Sequence, residues 1–251
     1  MSLRLLCVVA HPDDECFAFG GALALAADRG VELSILCLTD GQAATNRGTA
    51  QSGEELGAMR RREFAASCEV LGAGHYELWD YSDAQLEHAS LHDLGGRLVE
   101  RMRQFRPQVV ITFGGEGSLN NHPDHTTVSA ATTAAFHWSG NSKRFPEAGE
   151  PWRPERLYYL TTSFFLPDRP APLVAPWSCV LDIRSVRDRK RLAFEQHTSQ
   201  APLMDRSRPL FEEHGNEERY TLAYARKPQP VALTTDFFAG IGEEIHAEAR
   251  A

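Results

Sequence analysis

The chain has 251 residues, 42% of them hydrophobic, which is enough to bury a substantial core in one large α/β domain. Its formal net charge of -8 argues against a nucleic-acid or anionic-membrane surface, since either needs clustered Lys and Arg. Five widely spaced cysteines without a CxxC pair predict reduced, buried packing residues. The apolar N-terminal run "LLCVVA" is too short for a signal-peptide core or a membrane span, so a cytoplasmic protein is expected.

In chain order, "LRLLCVVA" at 3 to 10 predicts a strand, and "GGALALAADRG" a helix closed by Gly30. "VELSILCLTDG" at 31 to 41 predicts a second strand, and "EELGAMRRREFAASCEVLGAG" a second helix. "HYELWDY" is a third strand, "SLHDLGGRLVERMRQFRP" a helix with a proline stop, and "QVVITFGG" a fourth strand. "PDHTTVSAATTAAFHW" then reads as a helix with Pro123 in its first turn. Strands apolar throughout and alternating with helices indicate a Rossmann-like parallel sheet with helices on both faces over residues 1–140. A smaller mixed part over 141–251 follows, with strands "RLYYLTTSF" and "SCVLDI", a helix "SVRDRKRLAFEQHTSQ" and a late strand "ERYTLAYARK". No linker divides the two, so residues 1–251 are expected to form a single domain.

Two polar clusters interrupt this pattern, "HPDDE" after strand one and "GGEGSLNNHPDHTT" after strand four. In a sheet ordered 3-2-1-4 these strands are neighbours at the switch point, so both loops line one crevice. A dinucleotide is excluded there, because the first loop has no GxGxxG and presents carboxylates where a pyrophosphate needs amides. Histidines and carboxylates from separate loops suit a borderline cation such as zinc, whose catalytic sites use three N or O ligands and keep one position open. His11 and Asp14, three residues apart, project from one side if a helical turn begins there. His125 closes the triad from the opposite loop, and Asp13 is left free as a base.

"AHPDDECFAFGG" with "HPDH" resembles the zinc-dependent de-N-acetylases of the PIG-L (LmbE-like) family, which deacetylate N-acetylglucosamine conjugates. The resemblance extends to Arg60 and Glu63, Asp83 in "DAQL", "HTSQ" at 197 to 200 and "TDFFAGI". It implies metal ligands at His11, Asp14 and His125, a general base at Asp13 and an electrophilic histidine at His122. Asp124 matches the residue that pairs with that histidine, which here would keep His122 oriented and charged. Arg60 and Asp83 match positions that bind sugar hydroxyls in relatives, and His197 falls near the site. The base would need its pKa raised by partial burial and by Asp14.

The implied partner is a small amino-sugar conjugate. Arg60 and other arginines near the site are compatible with an anionic one such as N-acetylglucosaminyl malate, the bacillithiol precursor; a mycothiol-type inositol, a chitobiose-like sugar or an antibiotic sugar stays open. So does a homo-oligomer. A helical HD-type phosphohydrolase is disfavoured by the alternating elements, and a non-catalytic sugar- or metal-binding protein by the presence of Asp13. Glu15 reads as a helix N-terminal carboxylate, Gly20 and Gly21 as sites of close helix packing, and "MRRREF" as a solvated helix face but for Arg60. His75, His88, His92, His137, His214 and His246 read as surface or core residues.

Overall fold

The computed structural model describes residues 2–166 and 171–241. His246 lies outside them. One seven-stranded sheet has the order β3-β2-β1-β4-β5-β7-β6. Its strands are β1 (Arg4–Val9), β2 (Glu32–Thr39), β3 (His75–Tyr81), β4 (Val109–Thr112), β5 (Arg156–Thr161), β6 (Cys179–Asp182) and β7 (Glu217–Ala225). The first five pair in parallel, whereas β7 runs antiparallel to both β5 and β6. Leu5 to Val9 are each 0% exposed, as expected of a central strand covered on both faces.

Helices are α1 (Asp14–Phe17), α2 (Gly20–Asp28), α3 (Gly53–Leu71), α4 (Leu91–Phe105), α5 (Pro123–Trp138), α6 (Arg187–Glu195) and α7 (Ala201–His214). From β1 the chain moves outward through α2 to β2 and through α3 to β3. It then returns through α4 to β4 and continues through α5 to β5. Right-handed crossovers taken in opposite directions put α2 and α3 on one face and α4 and α5 on the other. Accordingly α3 and α2 pack on α6, while α4 packs on α5. Local signals agree: Ser52 Oγ caps α3 by accepting from the Glu55 N–H at 3.1 Å, and Gly72 ends it at φ 85°.

The second half departs from expectation in two places. The predicted helix over "SVRDRKRLAFEQHTSQ" stops at Glu195, and Thr198–Gln200 form a separate 3₁₀ turn. α7 was not predicted: Pro202 sits in its first turn, but Pro209 lies inside it, where the missing N–H ordinarily breaks a helix. All five cysteines are buried and unpaired. Gly21 does more than admit a neighbour. Its N–H and that of Ala22 donate to Glu218 Oε1 and Oε2, both at 2.8 Å, so a carboxylate from β7 binds the N-terminus of α2. Lys190 Nζ, 2.6 Å from Glu218 Oε1, balances that buried charge.

Candidate active site

β1 ends in a tight turn that places its polar residues. The His11 N–H donates to Asp14 Oδ2 at 2.8 Å, and Asp13 adopts φ 114°, a conformation costly for a residue with a Cβ. Glu15 holds it there: Oε2 accepts from the Asp13 N–H at 2.9 Å, while Oε1 accepts from Ser67 Oγ at 2.6 Å and from His197 Nε2 at 2.7 Å. Glu15 and His197 have no exposed side-chain surface. Burial opposes the charge on each, but their mutual attraction outweighs it, lowering the Glu15 pKa and raising that of His197. Glu15 is thus a buried anchor rather than a carboxylate favoured only by the helix dipole.

The second cluster opens α5. His122 is its N-cap, with Nδ1 accepting from the Asp124 N–H at 3.2 Å, and Pro123 takes the first helical position. His125, one turn on, stacks on Phe113 with ring centroids 3.9 Å apart. Ring nitrogens of His11, His122 and His125 all lie within 4.8 Å of one another. Between two of these rings sits Asp14, with Oδ2 3.4 Å from His11 Nδ1 and Oδ1 3.3 Å from His125 Nε2.

The outer nitrogens of both rings face acceptors. His11 Nε2 lies 3.0 Å from Asp83 Oδ1 and 3.2 Å from Asp124 Oδ2, and His125 Nδ1 lies 3.2 Å from the Gly117 carbonyl. In the neutral rings that a cation would require, with a proton on each outer nitrogen, His11 Nδ1 and His125 Nε2 would be the free donors, both facing the Asp14 carboxylate. Two imidazole nitrogens and one carboxylate, each ring oriented from behind by an acceptor, are a donor set suited to a divalent cation.

The charges follow from this packing. Burial would lower the His11 pKa, but Asp124, Asp14 and Asp83 raise it well above the usual value. Asp14 is pushed up by burial, yet His125 and His11 hold it well below the carboxylate range. Asp13 behaves in the opposite way: burial raises it to about 6, with Asp14 adding to the rise and Arg60 opposing it. His122 is lowered by burial and by His11 and His125, so the expectation of a charged His122 is corrected to a neutral ring.

His11, Asp13, Asp14, Arg60, Asp83, His122 and His125 line one cavity of about 480 Å³. One expected contact is replaced by others. The Asp124 carboxylate does not touch His122; it accepts from the amides of Ala84 at 2.7 Å and Leu86 at 3.1 Å and meets His11. Asp83 likewise engages His11, and the Ala43 N–H at 3.0 Å. Arg60, 3% exposed, donates from Nη2 to Asp13 Oδ2 at 2.9 Å and to the Pro12 carbonyl, and from Nη1 to the Gly41 carbonyl at 3.1 Å. Gly41 is needed for this, since a Cβ there would sit 2.0 Å from Nη1. Arg60 therefore fastens the Asp13 loop. His197 reaches the site only through Glu15, and Glu63 fastens the same region by accepting from Thr198 and Ser199 at 2.7 to 2.8 Å. Sequence reasoning missed the contribution of α7 to the cavity and that of His214, although Leu203, Leu210, Phe211 and His214 recur at helical spacing.

No helix among the described residues is long and apolar enough to cross a membrane. Residues 6–136 match the PIG-L family, described as GlcNAc-PI de-N-acetylase. Over 239 residues the chain is 30% identical to the 1D-myo-inositol 2-acetamido-2-deoxy-alpha-D-glucopyranoside deacetylase of Rhodococcus jostii, covering 78% of this chain and 81% of that protein. It is 28% identical over 206 residues to a probable N-acetyl-alpha-D-glucosaminyl L-malate deacetylase 2 of Bacillus cereus, covering 81% and 86% respectively. The N,N'-diacetylchitobiose deacetylase of Pyrococcus horikoshii shares the fold, with a TM-score of 0.73 over 87% of this chain and 83% of that one at 22% identity. The family match spans more than half of the sequence, and the Rhodococcus relative is matched over most of its length; the chain belongs to the PIG-L family.

Proposed function

We propose that the protein hydrolyses the acetamide of an N-acetylglucosamine-type conjugate, using a divalent cation, zinc in the first instance, held by His11, Asp14 and His125. The observation that carries this reading is the approach of His11 Nδ1 and His125 Nε2 to the two oxygens of one carboxylate, that of Asp14, at 3.4 and 3.3 Å, with Asp13 beside them in the same cavity. A cation held by these three residues would supply Lewis acidity toward the attacking water and the acetyl carbonyl.

This chain's own residues account for the proton movements. Asp13, with its pKa at about 6 and its side chain 13% exposed, takes the proton of the attacking water. Arg60 aims that carboxylate through Nη2. His122 accepts the Asp124 N–H at Nδ1, so its neutral ring carries the proton on Nε2 and offers a donor to the oxyanion of the tetrahedral adduct. Such a donor is typically worth roughly 3 kcal/mol. Protonated Asp13 then returns the proton to the departing amine.

The test is the zinc-loaded protein offered a panel of N-acetylglucosamine conjugates with acetate and free amine assayed together. Stoichiometric release of both is expected. An intact panel after prolonged incubation with metal-replete protein would refute the activity.

A further inference from the structure

The cavity continues past the histidines, and its outer wall is apolar. Phe17, one turn along α1 from Asp14, packs edge-on against Phe194 at 5.4 Å and Phe211 at 5.3 Å. α7 then presents Leu203, Ser207, Leu210, Phe211 and His214 to the cavity, positions i, i+4, i+7, i+8 and i+11 of one helical face. On its other face Asp205, Arg206, Arg208, Glu212 and Glu213 are exposed. Segment 160–166 adds Leu160, Phe164 and Leu166, and Phe164 stacks on His214 at 4.1 Å. The apolar stripe of α7 thus fronts open space beside the reacting centre.

The charges of the lining leave little for an anion. Arg60 is held by Asp13 at 2.9 Å, Lys190 by Glu218 at 2.6 Å, and Arg219 by Glu217. Each cation that the described residues contribute to this cavity already faces a carboxylate, and Glu116 adds a further acidic group. A carboxylate-bearing substituent would enter a lining whose Asp and Glu side chains outnumber its Arg and Lys side chains six to three, whereas an alkyl or aryl group meets complementary surface directly.

We infer that the substrate carries an apolar aglycone, an alkyl or aryl group seated against α7 and segment 160–166. This rests on the de-N-acetylase reading of the adjoining centre. Apolar burial gives such a group about fourfold in affinity for each methylene fully removed from water.

The experiment compares methyl, hexyl, benzyl and malyl N-acetylglucosaminides, measuring kcat/KM with the zinc-loaded protein and, in parallel, calorimetric affinity for each. The hexyl and benzyl conjugates should exceed both the methyl and the malyl conjugate by at least tenfold. Leu210→Asp should bring the hexyl-to-methyl ratio toward one; if that variant melts early, Leu210→Ala should lower the same ratio severalfold. A wild-type hexyl-to-methyl ratio within twofold, a malyl conjugate equal to or better than the hexyl one, or a ratio unchanged in a folded Leu210 variant would each overturn the inference. If no conjugate is turned over, the de-N-acetylase reading falls and calorimetry alone decides. Tenfold tighter hexyl than malyl binding sustains the apolar subsite, and any smaller preference removes it.

Discussion

Replacing Glu15 by alanine should loosen the proposed base without touching a proposed metal ligand. The substitution strips an acceptor from three donors at once, two of them buried: the Asp13 N–H at 2.9 Å, and the buried Ser67 Oγ at 2.6 Å and His197 Nε2 at 2.7 Å. Removing one partner of a buried ion pair costs about 3–5 kcal/mol. Relaxation of Asp13 from φ 114° returns about 1–3 kcal/mol of backbone strain. The central difference, near ~2 kcal/mol, corresponds to a fall in Tm of about 4–8 °C for a chain of this size. A base displaced by about 1 Å can lose on the order of 100-fold in rate, so kcat should fall by that order while KM and metal content stay near wild type. Glu15→Gln keeps an oxygen for the Asp13 N–H and lets a neutral His197 accept from the new amide, so it should restore most of kcat. Thermal denaturation, metal analysis and steady-state kinetics on the two variants decide the matter. Equal losses of kcat in both would show that the charge of Glu15, and not its grip on Asp13, matters; wild-type kcat in the alanine variant would dismiss any role.

Asp13→Asn should retain the metal and lower kcat by about 10²–10⁴-fold, the usual contribution of a positioned base; elemental analysis beside kinetics checks both halves. Alanine at His125 or Asp14 should lower metal per chain in equilibrium dialysis, while His122→Ala should keep the ion and lose rate, and the reverse pattern would reassign the ligands. Chelation should lower Tm by about 5–11 °C when free metal had stood near 100 times its Kd, since that occupancy is worth about 2.7 kcal/mol. An unchanged melting curve would speak against a bound cation. Gly21→Ala should destabilise by about 1–3 kcal/mol in denaturant titration, because its Cβ would lie 2.5 Å from Ile183 Cγ2 and 2.7 Å from Glu218 Oε1.

The architecture was legible where one physical signal dominated. Strand β1 is apolar on both faces, Pro123 marks the start of α5, and the switch-point rule brought His11 and His125 to one crevice from loops over 100 residues apart. What stayed hidden depends on where side chains point or on distant partners. His122 and Asp124 are two apart, and residues at that spacing on a helix do not face each other, so Asp124 turns to His11 and the amides after β3. Arg60 is set apart from Arg61 and Arg62 only by the loop it reaches. The pairing of Glu15 with His197 spans 182 positions, beyond any local pattern. α7 was obscured by Pro202 and Pro209, although its apolar residues kept a helical period.

The grip of the last strands on the first loops has a consequence for how the protein is made. Glu15, Glu63 and the amides of Gly21 and Ala22 all belong to the first half of the chain. Their partners, His197, Thr198, Ser199 and Glu218, belong to the second. During synthesis every proposed ligand and the base have been translated once residue 125 is added, together with Arg60, Glu15 and Ser67, yet His197, which backs the Glu15 carboxylate, follows only about 70 residues later. At ~5–20 residues per second that interval lasts on the order of 4–14 s. Over that time the nascent chain holds the whole proposed donor set beside a base held by Arg60 and Glu15 but not yet backed by His197, so metal capture can precede full catalytic competence, and the ion can serve as a template on which the later segments dock.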